Sequence, residues 1–259
     1  MGKTVLVTGA TSGFGEAIAR KFAENGNDLI ITGRREDRLH RLQEEWERQY
    51  SIKVQPLCFD IRDKAAVQEV LALFQNETID ILVNNAGLAA GMAAIDEGDT
   101  EDWDIMIDTN VKGLLYMTKA VLPLLKRSAT PHIFNIGSTA GKMAYKNGNV
   151  YCATKHAVDA LNQSMRIDLL PYGIKVTAIN PGMAETEFSV VRFKGNNERA
   201  KKVYDDIQPL VASDIADTVW YCANLPAHVC INDLTITCTG QANAMYLVRD
   251  SERVKSTLT

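Results

Sequence analysis

Ser138, Tyr151 and Lys155 are the residues of this chain whose types and spacing most directly offer chemistry. Tyr151 and Lys155 stand four apart, so on a helix they lie one above the other on a single face. An ammonium beside a phenol favours the phenolate, so the tyrosine pKa is expected to fall toward neutrality. A phenol tuned in this way works as a general acid–base at physiological pH. Ser138 closes the apolar run HIFNIGS and offers a hydroxyl to the same substrate oxygen. A Tyr-x-x-x-Lys pair is weak evidence alone, because the spacing recurs on many helices by chance.

The elements that must position these groups alternate along the whole chain. Strand-like runs occur at 3–8, at 28–33, and in KVQPLCF, IDILVNNAG, HIFNIGS, IKVTAINPG and LTITCTG. Between them lie segments with apolar residues at helical spacing: a first helix stopped near Gly26, then 34–50, 63–75, a long one at roughly 101–127, and 151–170. Ser213 is the expected N-cap of a last helix running through Ala223, and residues 183–212 have no clear periodicity. Strand–helix alternation without a Pro/Gly/Ser-rich linker predicts one doubly wound α/β domain of Rossmann type. Its sheet has about seven mostly parallel strands, with helices on both faces.

Bulk properties exclude several partners. The chain has 259 residues, 46% of them hydrophobic, and a formal net charge of −4. No basic stripe suits a nucleic acid, and no apolar run reaches the length of a membrane span. No apolar leader with a cleavage signal precedes the first strand. The five cysteines and four histidines lack metal-ligand spacing, which predicts reduced thiols, a cytoplasmic setting and no metal.

The turn TGATSGFG follows the first strand and opens the first helix. Gly9, Gly13 and Gly15 permit a tight turn and close backbone approach, with Thr11, Ser12 and Phe14 between them, and the helix start faces a pyrophosphate. The second strand ends in Gly33-Arg34-Arg35, where an acidic residue would hold the ribose hydroxyls of NAD. Arginines here favour the 2′-phosphate of NADP instead, with Arg34 as the stronger candidate and Arg35 either a second ligand or a solvated charge. In NNAG, Asn84, Ala86 and Gly87 would let the nucleotide cross the sheet edge. Asp60 either accepts from the adenine amine or caps the following helix. Asn110 lies mid-helix, where it either faces solvent or is buried with partners and distorts the helix locally.

Taken in order, TGATSGFG, Asp60, NNAG, Asn110, Ser138, Tyr151 with Lys155, and Pro181-Gly182 resemble the short-chain dehydrogenase/reductase family over essentially the whole chain. More narrowly, TGRREDRL, NNAGLAAGM, DWDIMIDTN, EFSVVRFKG and LPAHVCIN resemble bacterial NADP-dependent 3-hydroxy acid (serine and malonic semialdehyde) dehydrogenases and the related sulfoacetaldehyde reductases. The resemblance implies an NADP(H)-dependent oxidoreductase spanning residues 1–248, with a substrate lid at about 183–212, and a tail at 249–259 that is either flexible or an interface arm. It implies that Tyr151 exchanges a proton with the carbonyl oxygen and that Ser138 holds that oxygen. Lys155 would lower the tyrosine pKa and hold the nicotinamide ribose, and Asn110 would anchor a water-linked proton path. Pro181 and Gly182 would border the cofactor, and the long helices 101–127 and 151–170 would build a homotetramer.

In the lid, Arg192 has apolar neighbours, and a guanidinium in such surroundings pairs well with a carboxylate or sulfonate. It is either that anion ligand or a surface charge, and Tyr145 is a further hydroxyl donor. The expected substrate is short, with an alcohol or aldehyde at one end and an anion at the other. Glu185, close to Arg192 in sequence, departs from that pattern. The alternatives are a sulfoacetaldehyde reductase forming isethionate, a general carbonyl reductase, and a non-catalytic NADPH sensor.

Overall fold

The computed structural model describes residues 2–253, so residues 254–259 of the predicted tail lie outside the described residues. Seven parallel strands form one sheet in the order β3-β2-β1-β4-β5-β6-β7. They are β1 (Thr4–Thr8), β2 (Asp28–Gly33), β3 (Val54–Cys58), β4 (Ile81–Asn84), β5 (His132–Ile136), β6 (Lys175–Pro181) and β7 (Asp233–Ile236). The central strands are apolar throughout because helices cover both faces. Ile18, Phe22, Trp46 and Val219 fill one side, and Leu71, Met117, Val121 and Val158 the other. Pro56 sits in β3, an edge strand, where its missing N–H costs the sheet no ladder bond.

The helices are α1 (Gly13–Glu24), α2 (Glu36–Tyr50), α3 (Lys64–Ala72), α4 (Thr100–Ile107), α5 (Leu114–Leu125), α6 (Asn149–Leu169), α7 (Glu187–Arg192), α8 (Asn197–Lys202) and α9 (Ala212–Ala223). Asp63 caps α3 by accepting from the Ala65 and Ala66 amides. The last helix starts before Ser213: Val211 is its N-cap residue, and Asp214 accepts from the Val211 amide at 2.9 Å. The predicted helix 101–127 is interrupted by a π-helical segment, Asp108–Gly113, with Asn110 buried at its centre. The uncertain stretch after β6 holds two short helices, α7 and α8. Among the described residues, no helix is long and apolar enough to cross a membrane, and no group of three His, Cys, Asp or Glu is placed to hold a metal.

β1 and β4 are adjacent, and the strand order reverses there, so the chain leaves their carboxyl ends in opposite directions. That switch point opens a crevice at the sheet edge, the usual ligand site of this architecture. The remaining candidate groups arrive from the end of β5, from α6 and from α7.

Candidate active site

The crevice has a volume of about 320 Å³ and is lined by Gly9, Thr11, Ser12, Gly13 and Phe14 at one end and by Tyr151 and Lys155 at the other. Its floor is locked by Thr8, whose hydroxyl accepts from the Asn85 and Ala86 amides at 3.0 and 2.9 Å. Gly9 has φ +67°, and a Cβ there would press on Ala86 and the Asn85 side chain. A Cβ on Gly87 would fill the space between Asn110 and Lys155. Backbone is thus exposed wherever a dinucleotide has to approach it, and the residues present fit that group.

Four of the residues expected at the cofactor do not line the crevice. The Asn84 side chain does not reach the crevice: it donates to Thr118 and Asn135 inside the sheet, both at 2.9 Å. Asn85, the next residue, lines the crevice instead, and strand alternation decides between them. Gly15 is buried in α1, where a Cβ would collide with the Gly9 carbonyl, so it serves helix packing. Pro181 and Gly182 line the adjoining cavity rather than the crevice.

Arg34, Arg35 and Asp60 all line the crevice. Asp60 neither caps α3 nor stands free, because it takes the Arg62 guanidinium in a fork with Oδ2 at 2.7 Å. Burial works against its charge, but Arg62 and then Arg34 outweigh that and hold its pKa below the usual value. Arg34 is the more exposed arginine and makes one long ion pair, 3.7 Å to Asp60. Arg35 does not simply face water. It donates to the Thr11 hydroxyl and carbonyl, both at 3.0 Å, and to Glu187 at 2.8 Å. Arg34 is therefore the guanidinium with donors to spare.

α6 begins two residues before Tyr151, which places Tyr151 and Lys155 in its first two turns, facing inward and buried. Lys155 donates to the Ile136 carbonyl at 2.8 Å, and burial brings its pKa down to about 8. The tyrosine shift opposes the sequence expectation. Burial, and after it Tyr145, pushes the Tyr151 pKa upward, while the Ser138 hydroxyl and Arg192 oppose this only in part. The ammonium is committed to a carbonyl, so desolvation of the phenol wins. Ser138 Oγ accepts from the Ala140 amide at 3.0 Å, which leaves its proton free to donate. Asn110 spends its side chain on the Leu88 amide and carbonyl, both at 2.8 Å, and on Thr154 at 3.0 Å. Its amide therefore fixes the loop after β4 directly behind the Lys155 ammonium.

A second cavity, of about 200 Å³, adjoins Tyr151 on its other side. Ser138, Tyr145, Tyr151 and Arg192 all line it. The Arg192 guanidinium lies 5.6 Å from the ring centres of both Tyr145 and Tyr151 and donates to the Tyr145 hydroxyl at 3.0 Å. Its buried Nε has no partner. Glu185 is exposed and lines a separate surface depression, so it leaves this positive charge unopposed. Sequence reasoning missed Tyr204, Gln241 and Ala244, which also line the cavity. Gln241 holds the start of the segment after β6 by accepting from the Met183 amide at 2.7 Å.

The family model for short chain dehydrogenases matches residues 3–197. The chain is 49% identical over 250 residues to the NADP-dependent 3-hydroxy acid dehydrogenase YdfG of Salmonella typhi, covering 95% of this chain and 99% of that one. It is 45% identical over 251 residues to sulfoacetaldehyde reductase 2 of Chromohalobacter salexigens, covering 96% and 98%. Among solved structures, the closed form of serine dehydrogenase complexed with NADP+ superposes with a TM-score of 0.88 at 46% identity, covering 95% and 99%. With Tyr151 and Lys155 lining the glycine-turn crevice and Ser138 lining the adjoining cavity, these matches place the chain in one group: it belongs to the short chain dehydrogenase family.

Proposed function

We propose that this protein is an NADP(H)-dependent oxidoreductase of the 3-hydroxy acid dehydrogenase type, interconverting a short anionic hydroxy compound and its aldehyde or ketone. The observation that carries the substrate class is Arg192, which lines a small cavity beside Tyr151 and whose guanidinium donates to the Tyr145 hydroxyl but, among the described residues, to no carboxylate. A guanidinium edge with unused donors is suited to a bidentate anion. Its closeness to the Tyr151 ring limits the spacer between anion and carbonyl to a few atoms. The 45% identity to a sulfoacetaldehyde reductase favours a second arm of the same reading, in which the anion is a sulfonate.

In reduction, Tyr151 gives its proton to the substrate oxygen, which Ser138 holds with its free hydroxyl proton. A raised pKa keeps Tyr151 protonated for that step. The nicotinamide cofactor, when bound, supplies the hydride chemistry. Thr11, Ser12, Gly13 and Asn85 would hold its phosphate and ribose portions, Arg34 the 2′-phosphate, and Lys155 the ribose beside Tyr151. Lys155 loses its charge as pH rises through about 8. Reductive kcat/KM is therefore expected to stay level below that pH and to fall above it, because kcat/KM reports the free enzyme. A profile still level well above pH 8 would exclude the role of the ammonium.

Initial rates with NADPH and NADH against malonic semialdehyde, sulfoacetaldehyde and methylglyoxal test the whole reading. NADPH with one of the two anionic aldehydes is the expected best pair. A preference for NADH would remove the Arg34 argument, and a preference for methylglyoxal would remove that for Arg192. The free thiols support a reducing, cytoplasmic setting. Exposed Leu115, Ile167, Leu170 and Tyr172 on and after α5 and α6 support a homotetramer built on these helices. Light scattering that gives a monomer mass would rule the tetramer out.

A further inference from the structure

The lid helix α7 is only six residues long, and its two ends are fastened on opposite sides of the crevice. At its start, Glu187 accepts from Arg35 at 2.8 Å and from Arg38 at 2.9 Å. Arg35 carries that bond onward to Thr11, so one guanidinium ties the lid to the glycine turn. Thr186, the N-cap of α7, stands directly over Gly13, close enough to touch a Cβ placed there. At the other end, the Arg192 carbonyl accepts from the Gly91 amide at 3.1 Å, and Lys194 pairs with Asp102 at 3.0 Å. Between these ends, Phe188 rests against Tyr151, with ring centres 5.7 Å apart.

We infer that Glu187 is a positioning residue: its bonds to Arg35 and Arg38 fix α7 over the glycine turn and thereby set the Arg192 guanidinium above Tyr151. The inference rests on the reading that Arg192 receives the substrate anion. A helix of six residues is a rod of roughly 9 Å. It has no room to absorb a slip within itself, so a displacement at Glu187 reappears at Arg192. The same guanidinium that braces the nucleotide turn therefore also sets the substrate ligand, and the two halves of the site are mechanically one. Glu187 is about half exposed, and exposed ion pairs add little to global stability. Their loss releases the lid without unfolding the protein.

The test compares wild type with Glu187→Gln, which keeps the shape and removes the charge. Amide hydrogen exchange of residues 187–195, on the protein alone, is expected to run several-fold faster in the variant. Wild type should approach that rate at about 1 M NaCl, where screening is strong. With malonic semialdehyde, KM in the variant should rise about fivefold with kcat nearly unchanged, as expected for the loss of a surface pair. In an Arg192→Ala background, Glu187→Gln should raise KM no further, since the two act through one contact. Unchanged lid exchange, or KM effects that multiply in the double variant, would overturn the inference. If Arg192→Ala alone leaves KM unchanged, the substrate reading fails, while the exchange experiment still decides whether Glu187 holds the lid.

Discussion

Replacing Tyr151 with phenylalanine is expected to lower kcat by about a thousandfold, within the usual range for loss of a positioned general acid. The loss should fall on kcat and kcat/KM together, because the proton is delivered in the transition state rather than in binding. NADPH affinity, read by quenching of protein fluorescence, should change little, since Lys155 and the glycine turn remain. The ring stays buried against Phe188, so the thermal midpoint should move by only a few degrees. Turnover within tenfold of wild type would mean that another group delivers the proton, and Ser138 would then be the first to examine.

Replacing Arg192 with alanine should separate substrates by charge. A hydrogen bond to a charged group contributes about 1.5–3 kcal/mol, corresponding to roughly 10- to 100-fold in kcat/KM for an anionic aldehyde. The effect should appear mainly in KM, and a neutral aldehyde of similar size should lose little. Arg192→Lys should fall between the two, because it keeps the charge but not the planar fork. Equal, small losses on the anionic substrate and on NADPH would show that Arg192 does not bind the anion. Steady-state kinetics on the two substrates are sufficient to decide it.

The parts of this site that could be read from sequence are those fixed by local pattern. Continuous apolar runs gave the strands their places, and the glycine turn announced itself by lying between a strand and a helix. Asn110 suggested a distortion because a buried amide in a helix needs partners, and the π-helical segment is that distortion. Contacts between distant segments were not legible. Gln241 and Ala244 reach the cavity beside Tyr151 from beyond β7 and carry no motif. Arg35 and Glu187 meet across 152 positions. The Asn84/Asn85 choice turned on one step of strand alternation. The direction of the Tyr151 shift was missed for a different reason. A charge four residues away is visible in a sequence, whereas the desolvation that outweighs it depends on everything packed around the ring.

The π-helical segment Asp108–Gly113 also sets the phase of everything after it. An extra residue in one turn displaces the following helix by about 100° relative to an unbroken one. α5 presents Met117, Val121 and Leu125 to the sheet only because of that offset, and the same offset brings the Thr118 hydroxyl to Asn84. Forcing the same residues into an unbroken α-helix would repair the local hydrogen-bond pattern and put the rest of the helix out of register. Leu125 would turn into the place of Lys126, and Asn84 would lose its hydroxyl partner. The irregular turn thus stores one spare residue: deleting Lys112 should leave α5 in register, whereas deleting one residue inside α5, where nothing absorbs the shift, should be far less tolerated.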